Sequence, residues 1–278
     1  MTPPPSPARM LISIVSHQQL DLALPALQDV HAWLAPEDEI ILTLNTPEDE
    51  TALQAWLHLA HRPIRIVRNT RPLGFGANHN QAFGQAPCDV FVVMNPDIRC
   101  AGLDRSLLLN GFGQLALRAD SPRVDATPAS MGTLLHPTES TRPGAIAPVV
   151  MGPDGSVQDS VRKWPTLARF VGRLWDRLLA RPRKPDYSWG DTPIVVDWAA
   201  GMFVAFDAQA FKAVGGFDEG YFMYLEDADI GRRLARAGWS TVLMPGLEVV
   251  HDARRASFRS IQHMAWHLAS AWRFLRSG

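Results

Sequence analysis

Cysteine is scarce in this 278-residue chain, with Cys88 and Cys100 the only two. Two cysteines without metal-ligand spacing exclude a disulfide framework, and nothing demands an oxidising compartment. A charge imbalance is missing as well. The formal net charge of −1 argues against bulk electrostatic binding to nucleic acid. No apolar run approaches the roughly 20 residues that span a bilayer. Residues 1–9 are proline-rich without an apolar centre, which excludes a signal peptide and reads as a disordered lead-in. No internal repeat is visible. What remains is globular in composition, 46% hydrophobic and 20% charged, and fits a soluble or peripheral cytoplasmic protein.

Short β-branched runs alternate with helical periodicity through the first hundred residues. Strands are expected at 11–16, 40–42, 64–67 and 90–94. A helix over 20–34 has Pro25 asking for a start near it or a kink, and a second carries Leu53, Trp56, Leu57 and Ala60. This pattern implies an α/β fold with a mostly parallel sheet covered by helices on both faces. Ligands gather at the carboxyl ends of such strands. The stretch 119–143 is rich in Ser, Thr, Pro and Gly and reads as a loop or excursion. A strand resumes over 145–150, a turn follows at 152–155, and 156–162 leaves it as a hairpin arm. A basic amphipathic segment then runs from Arg169 to Lys184. Residues 194–206 read as a strand interrupted at Gly201. Two further strands, 241–244 and 247–250, precede His251, and an amphipathic helix closes the chain with Phe258, Ile261, Met264, Leu268, Trp272 and Leu275.

Three carboxylates, Glu226, Asp227 and Asp229, crowd the first turn of a helix whose apolar positions Ile230, Leu234 and Ala237 end at Gly238. An acidic first turn is common, because exposed N–H groups and the helix dipole favour negative charge there. The approach to it is less ordinary. Phe217, Tyr221, Phe222 and Tyr224 would wall the acids with apolar surface, and such surroundings raise a carboxylate toward general-base duty. Asn95-Pro96-Asp97 ends the fourth strand and puts Asp97 at the sheet's carboxyl edge, either as a turn acid or as a seat for a hard divalent cation. His251 ends a later strand in the same way. It is a structural histidine or, with a carboxylate beside it, a metal ligand. The glycine- and asparagine-rich loop 69–80 allows close backbone approach without matching a Walker or dinucleotide fingerprint. Trp198 and Met202 face either a cleft or the core.

The order Asn-x4-Gly-Phe-Gly-x-Asn-x-Asn, Asn-Pro-Asp, Gly-Gly-Phe-Asp-x-x-Tyr-Phe-x-Tyr-x-Glu-Asp-x-Asp and a strand-terminal His resembles family 2 glycosyltransferases, closest to the rhamnosyltransferase-like enzymes of bacterial cell-surface polysaccharide synthesis. The resemblance implies a GT-A fold in a single domain over 10–278. Residues 10–100 would form the nucleotide-sugar half. Residues 101–278 would form the acceptor half, a smaller mixed region. It implies Mg2+ or Mn2+ at Asp97 and His251, with Asp227 the general base and Glu226 orienting it or contacting the acceptor. Nucleotide-sugar contacts would come from Ser16, Asn45, Arg71, Gly74, Asn78, Asn95 and Asp97, and acceptor contacts from Trp198, Gly201, Arg162 and Tyr224. The family's second strand ends in an acid that reads the base, where this chain has Leu44, so base recognition is left open. The glycine usual after Asn80 is replaced by Gln81.

The expected partners are a nucleotide-diphosphate sugar, such as a rhamnose or other deoxy-sugar donor, and a glycan or lipid-linked acceptor. Arg169 to Lys184, with Arg254, Arg255 and Arg259, offer peripheral contact with an anionic membrane on the cytoplasmic face of the inner membrane. A divalent ion would take up charge growing on the leaving diphosphate while a base removes the acceptor hydroxyl's proton, giving inversion in one displacement. Two competitors share these residues: a non-catalytic nucleotide- or glycan-binding relative, suggested by Leu44, and a metal-dependent nucleotide-sugar hydrolase, which would need no acceptor.

Overall fold

The structure is a computed structural model describing residues 8–60, 64–119, 142–166, 168–169, 185–252 and 261–277. Strand β1 (Met10–Ser16) lies between two parallel neighbours, β2 (Glu39–Leu44) and β4 (Val90–Met94), and β3 (Arg65–Arg68) extends the sheet beyond β2. These strands are apolar along most of their length because both faces are covered. Ile12, Ile14, Val92 and Met94 point to one face, where Leu27, Val30 and Leu53 pack. Leu11, Phe91 and Val93 point to the other, against Ala82, Phe211, Ile230 and Leu234. Helices α1 (Leu20–Trp33), α2 (Thr51–Leu57) and α3 (Phe75–Phe83) make the crossovers. Helix α1 neither starts at Pro25 nor stops there. Pro25 sits inside it, and the buried neighbours Ala26, Leu27 and Val30 anchor the turn that lacks its N–H.

Beyond β4 the sheet becomes mixed. A short β5 (Ile98–Arg99) is followed by α4 (Arg105–Ala119), which the sequence pattern did not announce because Gly111 and Gly113 interrupt it. Then come β6 (Arg142–Met151), β7 (Val161–Arg162), β8 (Ile194–Val196), β9 (Trp198–Ala199) and β10 (Phe203–Asp207). Helices α5 (Ala208–Ala213) and α6 (Glu226–Arg236), strand β11 (Trp239–His251) and helix α7 (Ile261–Arg276) complete the chain. The nine-stranded sheet runs β3-β2-β1-β4-β10-β6-β11-β5, with β8 also on β11. Strand β10 enters antiparallel to both β4 and β6, while β6 and β11 are parallel.

Three local expectations change. The strand over 194–206 is three short strands with different partners: β8 joins β11, β9 pairs with β7 in a separate two-stranded sheet, and β10 enters the main sheet. The arm 156–162 bridges back only at Met151–Val157 before β7 turns to β9. The strands 241–244 and 247–250 are one strand with a register shift between Met244 and Glu248. Residues 120–141, 170–184 and 253–260 lie outside the described residues. With them lie most of the polar excursion and nearly all of the basic residues on which membrane contact was expected. No helix among the described residues is long and apolar enough to cross a membrane.

Candidate active site

The Asn95-Pro96-Asp97 turn is pinned at both ends. Asn95 N–H donates to the Met202 carbonyl (2.9 Å), Ile98 N–H closes the turn onto the Asn95 carbonyl (3.3 Å), and Asp252 N–H donates to the Asp97 carbonyl (3.0 Å). Strand β5 leaves the turn antiparallel to the end of β11, with Ile98 opposite His251. Two strand ends, about 150 residues apart in sequence, therefore meet as the strand-terminal pattern implied. His251 Nε2 lies 3.2 Å from Asp97 Oδ2. The other oxygen, Asp97 Oδ1, is buried without a hydrogen-bond partner. A buried carboxylate oxygen without a donor, beside an imidazole nitrogen, suits a hard divalent cation. No set of three or more His, Cys, Asp or Glu side chains is grouped for a metal among the described residues. The remaining coordination positions would fall to substrate oxygens and water, as in nucleotide-bound magnesium sites.

The acids of α6 are delivered by a strained approach. Gly215 and Gly216 have φ of 77° and 68°, and Tyr224 and Leu225 adopt φ of 73° and 66°. A left-handed conformation costs a non-glycine residue about 1–2 kcal/mol, so neighbouring contacts must hold it. Phe75 N–H donates to the Phe222 carbonyl (2.9 Å) and Ser270 Oγ to the Met223 carbonyl (2.8 Å). Tyr224 stacks on His267 with ring centres 3.6 Å apart and pairs its hydroxyl with His263 Nδ1 at 2.7 Å, while Phe222 packs on Trp266. Helix α7 thus clamps the loop that presents Glu226 and Asp227, a role its amphipathic pattern did not disclose. Tyr224, expected at the acceptor, is engaged by this clamp.

Glu226 is buried and Asp227 half-buried, and desolvation lifts both carboxyls above their ordinary values. Their surroundings then differ. Asp227 Oδ1 accepts from Ala228 N–H (2.8 Å), Oδ2 accepts from Gly201 N–H (3.2 Å), and the positive field of Arg162 favours its charged form. Glu226 is raised further, by burial first and then by the neighbouring Asp227 charge, and its Oε2 is buried without a partner. The pair is arranged so that the proton belongs on Glu226 and the charge on Asp227. The cation seat and this carboxylate are close in the backbone: Gly201, which binds Asp227, adjoins Met202, which binds Asn95.

Several expected contacts prove structural. Asn45 Oδ1 accepts from Leu73 N–H and Asn69, and its amide donates to the Leu73 carbonyl. Asn78 donates to the Leu73 and Gly74 carbonyls and accepts from Asn69. Both are buried, and these hydrogen bonds shape the loop. Ser16 is also buried and donates to Glu48 Oε2 (2.8 Å). Glu48, missed in the sequence, brings a carboxylate to the β1 end, with Oε1 buried and unpartnered. Leu44, at the position of the family's base-reading acid, belongs to the hydrophobic core. Gly74 lies against Phe222, whose carbonyl oxygen would be 2.6 Å from an added Cβ, and Gly201 lies 2.9 Å in the same sense from the Phe75 ring. Arg71 is exposed, as a nucleotide contact requires. Trp198 is core rather than cleft: it is 1% exposed and its indole N–H donates to the Lys163 carbonyl. Arg162 lies over its ring at 5.2 Å and pairs with Asp159.

The mixed sheet with helices on both faces is a GT-A-type fold. Two solved structures share it. GalNAc-T7 with UDP, GalNAc and Mn2+ superimposes with a TM-score of 0.59 at 15% identity, over 90% of this chain and 45% of that one. The mannosyltransferase PcManGT of Pyrobaculum calidifontis, with GDP-Man and Mn2+, gives 0.56 at 18% identity, over 96% and 64%. The glycosyl transferase family 2 model matches residues 12–114 of the chain. It is 37% identical over 164 residues to the N-acetylglucosaminyl-diphospho-decaprenol L-rhamnosyltransferase of Mycobacterium tuberculosis, covering 56% of this chain and 53% of that protein. Rhamnosyltransferase WbbL of Escherichia coli is 38% identical over 118 residues, 42% of this chain and 44% of that one. The chain spans about half the length of the curated relatives it matches.

Proposed function

We propose that this chain is an inverting glycosyltransferase that moves rhamnose or a related deoxy-sugar from a nucleotide-diphosphate donor to a lipid-linked or glycan acceptor, with Mg2+ or Mn2+ bound. The observation that carries the reading is the pairing of Asp97 with His251 beside an unsatisfied carboxylate oxygen. The rhamnosyltransferase names of the relatives support the sugar, and one of those names, ending in diphospho-decaprenol, supports a lipid-linked acceptor. Residues 10–100 hold the donor in this reading, and 101–278 the acceptor.

Asp97 and His251 would hold the ion, with Asn95 at the same turn and Arg71 reaching the nucleotide. The bound ion supplies Lewis-acid stabilisation of the departing diphosphate. Asp227 removes the acceptor hydroxyl's proton as that oxygen attacks the anomeric carbon from the face opposite the diphosphate. Glu226, keeping its own proton, adds no second charge to the buried site. Arg162 keeps Asp227 ionised. The carboxylate that takes the proton is thus separate from the one that meets the cation, and each has surroundings suited to its part.

The reading includes a bilayer contact. On α7, Met264, Leu268 and Trp272 are more than 60% exposed on one face, Leu275 adjoins them, and the helix has no Asp or Glu while Arg273 and Arg276 lie in its last turn. An interfacial helix facing anionic lipid has this composition.

The test is transfer from dTDP-rhamnose to a lipid-diphosphate N-acetylglucosamine acceptor with manganese present. Acceptor-dependent turnover supports the reading. Release of free sugar regardless of acceptor would favour a hydrolase. The buried Leu44 favours as second reading a binding relative, which would bind donor and turn none over.

A further inference from the structure

The side chain of Gln158 plays no part in the chemistry above, yet it grips His251 twice. Gln158 Nε2 donates to the His251 carbonyl (3.1 Å), and Gln158 Oε1 lies 2.7 Å from His251 Nδ1. A backbone carbonyl can only accept. It therefore fixes which end of the amide faces it, since the reversed amide would set two oxygens against each other. With the amide so oriented, Oε1 faces Nδ1, and an oxygen can only accept there. Nδ1 must carry the proton. In the neutral ring Nε2 then carries a lone pair, and Nε2 is the atom 3.2 Å from Asp97 Oδ2.

We propose that Gln158 is a positioning residue for the cation seat: it holds His251 in the Nδ1–H tautomer so that the Nε2 lone pair and the Asp97 carboxylate face the same point. Metal-bound histidines are commonly held this way by an acceptor on the opposite ring nitrogen, and losing that partner typically costs about 10–100-fold in metal affinity or activity. The arm carrying Gln158 is itself fixed. Gln158 N–H donates to the Val150 carbonyl (2.8 Å), Ala200 N–H donates to the Ser160 carbonyl (2.7 Å), and Val161 pairs with Ala199. Four residues after Gln158, Arg162 sets the charge of Asp227. One short arm thus positions a residue at each end of the site.

The inference rests on the proposed cation seat, and its test separates the two. Long-range 1H–15N spectra at pH 9 on the metal-free protein, with the His251 signals identified by their loss in His251→Ala, should show Nδ1–H in the native chain. They should show a mixed tautomer in Gln158→Met. An Nε2–H on native His251 at that pH overturns the inference whatever the enzyme does. In parallel, Mn2+ is titrated by the loss of its free EPR signal with thymidine diphosphate present. Gln158→Met should weaken binding by about 10–100-fold. Native-like Mn2+ binding by Gln158→Met, with binding lost in Asp97→Asn, overturns the inference and leaves the seat standing. Equal Mn2+ binding by native protein, Asp97→Asn and His251→Ala overturns the seat and the inference together. The native spectrum keeps the test decisive should Gln158→Met fail to fold.

Discussion

Replacing Glu226 by Gln and Asp227 by Asn should have opposite consequences, although the residues are adjacent in one helical turn. Two backbone N–H groups and the field of Arg162 support charge on Asp227, whereas Glu226 Oε2 has no partner. Glu226 therefore keeps its proton in the folded state well above its ordinary value of 4.5. In that window the folded chain binds more protons than the unfolded chain, so stability falls as pH rises, by up to about 1.4 kcal/mol per pH unit for one proton. Glu226→Gln removes that dependence. Relative to the native protein it should gain stability as pH rises above 4.5, read as the shift in urea-unfolding free energy between pH 5 and pH 7. Its transfer rate should stay close to native, because the amide mimics the protonated acid. Asp227→Asn removes the base and should lower kcat by about 100-fold or more, or at least ~2.7 kcal/mol of transition-state stabilisation. The reasoning is refuted if Glu226→Gln shows no pH-dependent gain and loses as much activity as Asp227→Asn.

Arg162→Met should move the acid limb of the pH–rate profile to higher pH, because the Arg162 charge holds Asp227 down against its burial; an unmoved limb would remove Arg162 from the account. Gly74→Ala should destabilise by about 1–3 kcal/mol, since its Cβ would meet the Phe222 backbone carbonyl at 2.6 Å, and urea unfolding reads the loss directly. The double change Leu268→Ser and Trp272→Ser, both on the exposed face of α7, should reduce flotation with vesicles containing phosphatidylglycerol while leaving turnover of a short-chain soluble acceptor near native. Equal flotation by the variant would place any bilayer contact elsewhere.

The strand and helix pattern of the first hundred residues was legible because buried parallel strands and their crossovers carry strong, local periodicity. Asp97 and His251 were legible as residues that end apolar strands, and their meeting follows from β5 pairing back onto β11. The helical acids were legible by position, but the surroundings that distinguish them were not. Those surroundings include Gly201 N–H and the Arg162 charge, both distant in the chain. The internal partners of Asn45 and Asn78 were not legible either, because hydrogen bonds from a side chain to a loop backbone leave no pattern in the sequence. Gln158 and the α7 clamp left no signal, since one is a lone amide and the other a contact between distant aromatic and histidine side chains. Helix α4 was hidden by its glycines.

A crystal grown with manganese and thymidine diphosphate, with diffraction recorded at the manganese absorption edge, tests the central claim most directly. The account predicts one anomalous peak held by Asp97 and His251, with the diphosphate on the side facing Asp227 and open space for a sugar ring between them. A peak on any other residues, or protein atoms filling that gap, would contradict it.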